Sequence, residues 1–446
     1  MARRCNSFVQ FGAAVLAAAL TLTAVGVTDA GHEQRRLNEP PIGFTALFNG
    51  KDTSGWRGRP HLDPRQEASW SRDERAAKQA EWDRSVKEHW SVQDGELVND
   101  GQGAYLTTGK EYGDFELWLD YKTVAKADSG IYLRYNPQVL IWDYTEAGGK
   151  WKLGADKGSG GLWNNQKHER FPPVLADKPF GEWNRLYIRM VGEHVTVFLN
   201  GRKTVDNVVM ENYFDRSVPV FAKGAIQLQT HGGEIRFRNL FIREIGHAEA
   251  NRILAGDEAA FVSLFNGQDL TGWQGATNGY YVVYGKIICD PEIGGKLMTR
   301  DEFSDFILRF EFKVPPGGNN GLGVRAPLEG DAAYNGMEIQ ILDNTAKKYA
   351  HLKPYQYHGS VYGVAPAHRG FQRPVDQWNY EEVEARGPHI TVRLNGFTIT
   401  DVDLSKIDQP MDGKAHPGLH RTSGFLGFLG HGDRVAFRNI RVRRLE

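Results

Sequence analysis

A segment of alternating side chains, residues 337–343, carries the groups best suited to acid–base chemistry. In a strand, its order Met-Glu-Ile-Gln-Ile-Leu-Asp places Glu338 and Gln340 on one face and two isoleucines on the other. The isoleucines need the core, so Glu338 and Gln340 must face either open solvent or a concave groove. On a curved sheet an acid and an amide so placed suit a sugar, and Glu338 is a candidate general base.

A similar pattern occurs earlier, in residues 137–143, with an amide in place of the acid. Gln138 replaces Glu338, and an amide cannot take up a proton as a carboxylate does, so this segment is the weaker candidate for catalysis. Trp142 offers a ring that could stack on a sugar. Asp343, at the end of the later segment, is either an acid or metal ligand or a cap of the following turn.

Arginine and histidine recur at matching places in the two halves of the chain. Arg134 and Arg325 each end a strand that begins in a glycine-containing turn. An arginine there suits an oxyanion or a row of hydroxyl groups, and an exposed strand end explains it equally well. His231 and His431 each stand beside a glycine just before the last strand of their half, and are either structural or functional residues.

The elements that would position these residues occur twice, because the chain is a tandem duplication. The pattern Phe-x-x-Leu-Phe-Asn-Gly-x-Asp-x-x-Gly-Trp spans residues 44–56 and again residues 261–273. Further matches keep their order to the end of the chain, but their spacing falls from 217 to 191 residues. The difference locates an insertion in the first copy, and a duplication by itself copies structural and functional residues alike.

The inserted stretch, Ser71 to His89, is charged and helix-prone. Ser71 and Glu74 have the spacing of a capping box, which predicts a helix beginning there. The helix is either a solvated surface helix or a flap over the cleft of the first domain.

Alternation with a period of two predicts strands in both copies, as in Phe115, Leu117 and Leu119. Asn-Gly and Asp-Gly pairs follow such runs and predict hairpin turns. Many short strands without a βαβ rhythm predict an all-β fold, namely two tandem β-sandwiches of the jelly-roll type with a short helical insertion in the first. The expected boundaries of the signal peptide, first domain, linker and second domain are 1–30, 40–246, 247–258 and 259–446.

Composition and the N-terminus limit the partners and the location. The 446 residues contain 54 Lys+Arg and 55 Asp+Glu, so no overall positive field exists to attract nucleic acid. Arg3 and Arg4, an apolar run and a small-residue site at 28–30 predict a cleaved export signal, with no membrane span in the mature protein. We expect a periplasmic or secreted protein in which Cys289 is the remaining cysteine, without an intramolecular disulfide. Nucleotide-binding and common hydrolase motifs are absent from the sequence.

Together, these motifs resemble the 3-keto-disaccharide hydrolase domain family, over about 44–245 and 261–445. The resemblance rests on the shared order of the repeated motif above, Asp-Phe-Glu-Leu, Ser-Gly-Ile-Tyr-Leu-Arg, Gly-Gly-Leu-Trp-Asn-Asn, Gly-Glu-Trp-Asn, Leu-Asn-Gly, His-Gly, Glu-Ile-Gln-Ile-Leu-Asp and Tyr-His-Gly-Ser-Val-Tyr. It implies a concanavalin A-like sandwich, an exported location and action on oxidised glycosides, in some members with a divalent metal ion.

Carried over residue by residue, the resemblance implies one candidate site in each copy. The second-copy site comprises Arg325, Glu338, Gln340, Asp343 and His431. Its first-copy counterparts are Arg134, Gln138, Asp143 and His231. In the first copy Leu140 departs from the glutamine expected two residues after Gln138, which weakens hydrogen bonding there.

The chemistry that the resemblance implies needs few groups. A ketone at C3 acidifies the C2 proton, so one base can start an elimination of the C1 substituent, and water then adds to the glycal. Glu338 or His431 would be the base and the other the acid, with Arg325 or a metal ion stabilising the enolate. Two alternatives stay open: a lectin-like protein that binds glycans without cleaving them, and ordinary glycoside hydrolysis by paired carboxylates, which needs a second acid near Glu338.

Overall fold

Residues 36–446 are described by a computed structural model of the chain. The predicted signal peptide, residues 1–30, lies outside them. Within the described range, both copies of the repeat belong to one unit. Among these residues the helices are few, and they are α1 (Pro64–Ser69), α2 (Arg72–His89), α3 (His247–Ala255) and α4 (Ala332–Asn335).

Each copy contributes thirteen strands. The strands of the first copy are β1 (Thr45–Ala46), β2 (Trp56–Arg59), β3 (Trp90–Gln93), β4 (Glu96–Asn99), β5 (Tyr105–Thr108), β6 (Phe115–Thr123), β7 (Asp128–Leu133), β8 (Asn136–Trp142), β9 (Asn184–Val191), β10 (His194–Leu199), β11 (Arg202–Val209), β12 (Gln227–Leu228) and β13 (Ile235–Glu244). Those of the second are β14 (Val262–Ser263), β15 (Trp273–Gly275), β16 (Tyr280–Val283), β17 (Lys286–Cys289), β18 (Gly295–Phe303), β19 (Phe306–Lys313), β20 (Asn319–Ala326), β21 (Met337–Leu342), β22 (Asn379–Arg386), β23 (His389–Leu394), β24 (Phe397–Asp403), β25 (Gly424–Gly430) and β26 (Ala436–Arg444).

The strands of each copy form two antiparallel sheets, which confirms the predicted pair of β-sandwiches. The large sheets run β11-β10-β9-β6-β13-β4-β3 and β16-β17-β26-β19-β22-β23-β24, with β1 and β14 pairing to the last strand of their copy. The small sheets run β2-β5-β12-β7-β8 and β15-β18-β25-β20-β21. Alternating side chains such as Leu106 and Ile131 point between the sheets and are fully buried there, so every other residue of a small sheet faces outward.

The predicted hairpins form at the Asn-Gly pairs. Asn200 and Gly201, between β10 and β11, both have positive φ, at 52° and 78°. Asn395 and Gly396, between β23 and β24, have almost the same values, 52° and 82°. Two consecutive positive φ angles define the tight turn whose twist matches that of the flanking strands.

The inserted helix α2 begins with the predicted capping box. The Ser71 side chain accepts from the backbone of Glu74, whose side chain in turn accepts from the backbone of Ser71. The helix packs on β2, where a Cβ on Gly58 would lie 2.3 Å from the Trp82 carbonyl oxygen. Val86 is buried in the main core. The insertion is therefore a mostly solvated surface helix, as one of the two alternatives predicted, and it covers an edge of the core through Val86.

Residues 247–258, expected to be a linker, contain helix α3. It fastens the two sandwiches together: the Arg373 guanidinium donates to Asn251 Oδ1 at 2.7 Å, and that of Arg309 donates to the Ala255 carbonyl at 2.7 Å. A direct contact adds to this, because Glu193 Oε1 accepts from the backbone and hydroxyl of Thr398.

Candidate functional site

Glu338 and Gln340 lie on the outer face of the second small sheet, as the alternation predicted. Ile339 and Ile341, between and after them, are fully buried in the core of the sandwich. The two polar residues are themselves only 5% and 4% exposed. Their side of the sheet is therefore a covered site and not open solvent.

The outer edge of β21 is closed by residues 359–362, which run beside it. The Gln340 backbone N–H donates to the Ser360 carbonyl at 3.0 Å, and the Tyr362 N–H donates to the Glu338 carbonyl at 2.9 Å. In the first copy, the Leu140 and Trp163 N–H groups make the matching bonds. The Gly-Gly-Leu-Trp and His-Gly-Ser-Val-Tyr motifs thus seal the edge of the candidate site.

The structure brings Glu338 and His431 together, although 93 positions separate them in the chain. His431 Nε2 lies 3.5 Å from Glu338 Oε1. That carboxylate oxygen is buried, and apart from His431 it has no partner among the described residues. Gly321 on β20 provides its space, since a Cβ there would lie 1.9 Å from Glu338 Oε1.

The charge of the Glu338 carboxylate governs the imidazole beside it. Its interaction with His431 raises the pKa of the imidazole, against the effect of burial. Asp331 and Asp433 add smaller contributions in the same direction. The His431 side chain remains 45% exposed, so the pair has one buried and one accessible member. The raised pKa keeps the imidazole protonated to higher pH, beside the buried carboxylate.

The side chains of Gln340 and Asp343 make hydrogen bonds to other groups of the protein. Gln340 Nε2 donates to Asn319 Oδ1 at 2.7 Å. Asp343 accepts from the Gly317 N–H and from both the N–H and hydroxyl of Thr345. Burial opposes ionisation of Asp343, but these hydrogen bonds together lower its pKa. Asp343 therefore caps the turn after β21.

Arg325 does not join Glu338 and His431. Its guanidinium instead pairs with a carboxylate of the loop between β18 and β19: Nη2 lies 2.9 Å from Asp305 Oδ1. Its other nitrogens donate to the backbone carbonyls of Ser304, Gly387 and Arg421. Arg325 thus ties β20 to the large sheet, and this placement contradicts the predicted roles in enolate stabilisation and substrate binding.

Arg134 repeats this arrangement in the first copy, which corrects its predicted role in substrate binding. Its guanidinium pairs with Asp114 Oδ1 at 3.0 Å and donates to the carbonyls of Gly113, Gly192 and Phe221. The duplication has therefore preserved a structural arginine.

Trp142 is also structural, because it is 3% exposed and offers no free ring face. Its indole N–H donates to the Gly158 carbonyl, and the ring packs against Trp163 and Leu140. The predicted stacking on a sugar does not fit this position. Asp143 caps a turn as Asp343 does, accepting from the backbone of Lys126 and from Thr145.

The histidine of the first copy has a different acidic partner. His231 Nδ1 lies 3.1 Å from Asp128 Oδ2, on β7. The second copy has Asn319 at the position of Asp128, and the first has Gln138 at the position of Glu338. Each histidine therefore faces one carboxylate, supplied by a different strand. Sequence reasoning missed Asp128, although the two copies can be aligned at that position.

A cleft distinct from this site lies elsewhere in the described residues. A cleft of about 1170 Å³ runs between the two sandwiches and is lined by four histidines, at positions 168, 194, 368 and 389, with Glu193, Glu382 and Asp401. Glu338 and His431 do not line it. Charged groups of the cleft pair with one another, as Glu382 does with Arg309 and Arg393.

The resemblance implies a divalent metal ion in some members of the family, which would need a group of ligating side chains. Within residues 36–446, no three His, Cys, Asp or Glu side chains are grouped so that they could hold one. In the same range no helix is long and apolar enough to cross a membrane.

Comparison with known proteins gives the family of the chain. The 3-keto-alpha-glucoside-1,2-lyase-like domain matches residues 43–243 and again residues 260–443. The chain belongs to this family. The matches confirm the resemblance and the two tandem copies that the repeats predicted.

Individual relatives of this family member each match about one copy. A 3-keto-disaccharide hydrolase of Bacteroides thetaiotaomicron is 25% identical over 232 residues, which cover 43% of this chain and 80% of that protein. Two provisionally assigned glycosyl hydrolases of Parabacteroides distasonis, both solved as crystal structures, are 30% and 23% identical, each with a TM-score of 0.38. They cover 42% of this chain and 99% and 95% of their own lengths.

Proposed function

We propose that this chain cleaves the glycosidic bond of 3-keto-glycosides by elimination followed by hydration. The observation that carries the proposal is the contact of Glu338 with His431, 3.5 Å apart on the outer face of the second small sheet. A base and an acid side by side are what such an elimination requires. The family match and the named hydrolase relative support the same substrate class.

The first half of the proposed reaction removes the C2 proton. The C3 ketone acidifies this proton, and the base accepts it while the electron pair becomes an enolate. The enolate then forms the C1=C2 double bond as the C1–O bond breaks, and the leaving oxygen takes a proton from the acid. The products are an alcohol and a keto-glycal.

The second half adds water across the double bond. The hydroxyl group of the water bonds to C1 and a proton bonds to C2. The sum of both halves is therefore hydrolysis of the glycoside. No oxidant or reductant is consumed. The pair of side chains returns to its starting protonation state.

Glu338 is assigned as the base and His431 as the acid. Apart from the contact with His431, Glu338 Oε1 has no hydrogen-bond partner among the described residues, so a lone pair remains for the C2 proton. The raised pKa of His431 keeps the imidazole protonated to higher pH, which suits proton donation to the leaving oxygen. The same positive charge would stabilise the enolate, a role that Arg325 cannot take from its place between the sheets.

The first copy is proposed to be non-catalytic. Gln138 stands at the position of Glu338, and an amide does not accept a proton at neutral pH. We further propose that the chain is exported, to the periplasm or beyond, as residues 1–30 suggest, and that its partner there is an oligosaccharide or glycoside substrate.

Conventional glycoside hydrolysis is the second candidate, because the charges of Asp331 and Asp433 also act on His431. Both raise the pKa of its imidazole. Paired carboxylates of this kind hydrolyse unoxidised glycosides.

The test is incubation of the full mature chain with methyl 3-keto-α-D-glucopyranoside and with its unoxidised parent. Cleavage of the keto compound alone, with transient ultraviolet absorbance from the keto-glycal, is the expected result. Cleavage of both would favour conventional hydrolysis. Cleavage of neither, with a measurable affinity for a glycan, would make the protein a lectin-like binder and overturn the proposal.

A further inference from the structure

The cleft between the two sandwiches is bounded at one end by contacts between its walls. The Glu193 N–H donates to the Gly396 carbonyl at 3.0 Å, and Glu193 Oε1 accepts from the N–H and the hydroxyl of Thr398. Leu254 of α3 lies at the same place, since a Cβ on Gly396 would lie 2.6 Å from its side chain. All four residues line the cleft. The cleft of about 1170 Å³ is therefore a built part of the fold, and interfaces between domains are preferred places for ligands.

One wall of the cleft is the outer face of the second large sheet. Polar side chains cross β22, β23 and β24 in two rows, in register: Glu382, Arg393 and Thr398 in one, and Glu384, Thr391 and Asp401 in the other. Val383, between the two glutamates of β22, is fully buried in the core, so the rows point away from the core. All six residues of the rows line the cleft.

The first copy has a different row at the aligned positions. The Asn-Gly hairpins at 200 and 395 set the alignment, with a spacing of 195 residues. Tyr187, Phe198 and Lys203 then take the places of the row that begins with Glu382, again in register. The two rings pack at a centroid distance of 6.0 Å and do not line the cleft. The fold therefore does not require a polar row here, and the copy whose sheet faces the cleft has one.

The charges in the cleft nearly cancel. Among the described residues, its lining has five aspartates and glutamates against four lysines and arginines, together with four histidines. Several of these groups pair, as where His389 Nε2 lies 2.5 Å from Asp401 Oδ1. A lining without excess charge does not favour a phosphate or another strongly ionic ligand. Carboxylates, imidazoles and hydroxyls side by side supply the acceptors and donors that sugar hydroxyl groups need.

Some of the paired groups are also accessible from the cleft. The side chains of His389 and Asp401 are 45% and 49% exposed, and that of Glu384 is 20% exposed. Burial raises the pKa of Asp401, but the hydrogen bond from His389 and the charge of Lys167 are among the effects that lower it overall. Lys167 belongs to the opposite wall, so charges act across the cleft. Asp401 is therefore an ionised acceptor at neutral pH.

The hydroxyl of Tyr380 is the unsatisfied group of this wall. Tyr380 lies on the same face of β22 as Glu382 and lines the cleft, but it is only 3% exposed. Its hydroxyl is buried and has no partner among the described residues. Burial raises its pKa, so the phenol is neutral and can both donate and accept. Buried polar groups are nearly always hydrogen-bonded, so a lone hydroxyl beside a cavity indicates a partner that a ligand supplies.

We propose that the cleft binds a neutral oligosaccharide, at a place separate from the proposed catalytic site. Sugar hydroxyls would donate to the accessible carboxylates of Glu384 and Asp401, and one hydroxyl would pair with that of Tyr380. The volume exceeds the roughly 300–1,000 Å³ of ordinary small-molecule sites, which suits several linked sugar units better than one. Glu338 and His431 do not line the cleft, so the inference goes beyond the proposed cleavage and does not depend on it.

The test titrates the full mature chain with maltotetraose, cellotetraose and laminaritetraose in a calorimeter. We expect at least one of these neutral tetrasaccharides to bind. Y380F should then weaken its binding by roughly twofold to tenfold, the usual effect of one lost hydrogen bond. It should not lower stability, because the hydroxyl that it removes has no partner among the described residues. D401A, at an exposed position, should weaken binding by a similar factor, and both variants should cleave the 3-keto-glucoside as the wild type does.

Y121F and E338Q are the matched controls, and both should keep the affinity of the wild type. Tyr121 is another buried tyrosine, in the core of the first sandwich, where the second copy has Phe312. E338Q alters the proposed catalytic site alone. Loss of affinity in E338Q, with none in Y380F and D401A, would place the ligand at that site and overturn the proposal.

Three further results would also decide the matter. Absence of binding by all three tetrasaccharides at millimolar concentration would overturn the proposal, as would unchanged affinity in both Y380F and D401A. Tighter binding of tetragalacturonate than of every neutral tetrasaccharide would contradict the neutral ligand. Failure of the wild-type chain to cleave a 3-keto-glucoside, with the binding results as expected, would overturn the proposed cleavage and leave the oligosaccharide site supported.

Discussion

The buried Glu338 Oε1 lies 3.5 Å from Nε2 of the partly exposed His431. The two residues come from β21 and from the loop after β25, and β20 lies between those strands. Gly321 on β20 leaves the gap through which they meet. The pair thus depends on three strands as well as on its own two side chains.

Replacing the carboxylate by an amide tests its role as the base. E338Q should lower kcat for the 3-keto-glucoside by roughly 10²–10⁴, the usual contribution of one acid–base group. The fold should tolerate the change, because the first copy carries glutamine at this position. Q138A is the matched control and should leave kcat unchanged. A rate within twofold of the wild type for E338Q would reject the assignment.

The pH profile tests the assignment of the acid. Because Glu338 raises the pKa of His431, the protonated imidazole persists to higher pH, and activity should be lost as pH rises through that raised pKa. E338Q removes the charge, so the residual activity should fall at lower pH than in the wild type. The alkaline limb of kcat/KM, with an NMR titration of His431, measures both shifts. An alkaline limb that does not move would separate His431 from the reaction.

Two glycines on β20 provide a steric test of the same site. In G321A the new methyl group would lie 1.9 Å from Glu338 Oε1 and must displace the carboxylate, so activity should fall by at least tenfold. In G323A the methyl group meets Ala326 and Leu429 at an ordinary 3.5 Å, and activity should stay within about twofold. Equal activities in the two variants would show that the position of the carboxylate is unimportant.

Arg325 should affect stability and not turnover. R325K keeps the charge but loses several of the four hydrogen bonds that the guanidinium makes, which costs about 2 kcal/mol or more of unfolding free energy. Urea denaturation measures this loss, and kcat per folded molecule should remain that of the wild type. A large fall in kcat at full stability would restore the catalytic role predicted from sequence.

A buried contact between a histidine and a glutamate in the second core offers a further stability test. His358 Nε2 lies 3.2 Å from Glu381 Oε2, both side chains are inaccessible, and neither makes a hydrogen bond. The first copy has Ser159 and Leu186 at these positions. E381L should cost roughly 1–3 kcal/mol by leaving the imidazole unpaired. H358S/E381L should recover most of this cost in a double-mutant cycle, whereas additive losses would show that the pair is uncoupled.

Local signals accounted for much of the fold. Alternation predicted the faces of β21, the Asn-Gly pairs predicted the hairpins, and Ser71 with Glu74 predicted the start of α2. Each of these depends on neighbours within a few residues. The interaction of α2 with the core could not be predicted in this way, since it depends on the close approach of Gly58 to Trp82 across the insertion.

Long-range contacts limited what the sequence could say about the site. A strand-end arginine looks available for a ligand, but the partners of Arg325 include the carbonyls of Gly387 and Arg421, distant in the chain. The acidic partner of His231 could likewise not be predicted, because Asp128 is distant in the chain and meets His231 only when the strands pack together. Recurrence in both copies did not distinguish structural from functional residues, since the structural arginines recur just as the two histidines do.

The origin of the hydrogen at C2 tests the central claim most directly. The cleavage of methyl 3-keto-α-D-glucopyranoside is run in D₂O, and the product sugar is analysed at once by NMR and mass spectrometry, beside free 3-keto-glucose incubated without enzyme. Elimination and hydration predict one deuterium at C2 in every product molecule, above the exchange seen in the control. A C2-deuterated substrate should also react more slowly than the unlabelled one. A product that retains its C2 hydrogen, together with equal rates for the two substrates, would show that the bond is cleaved without proton abstraction and would contradict the role of Glu338 as the base.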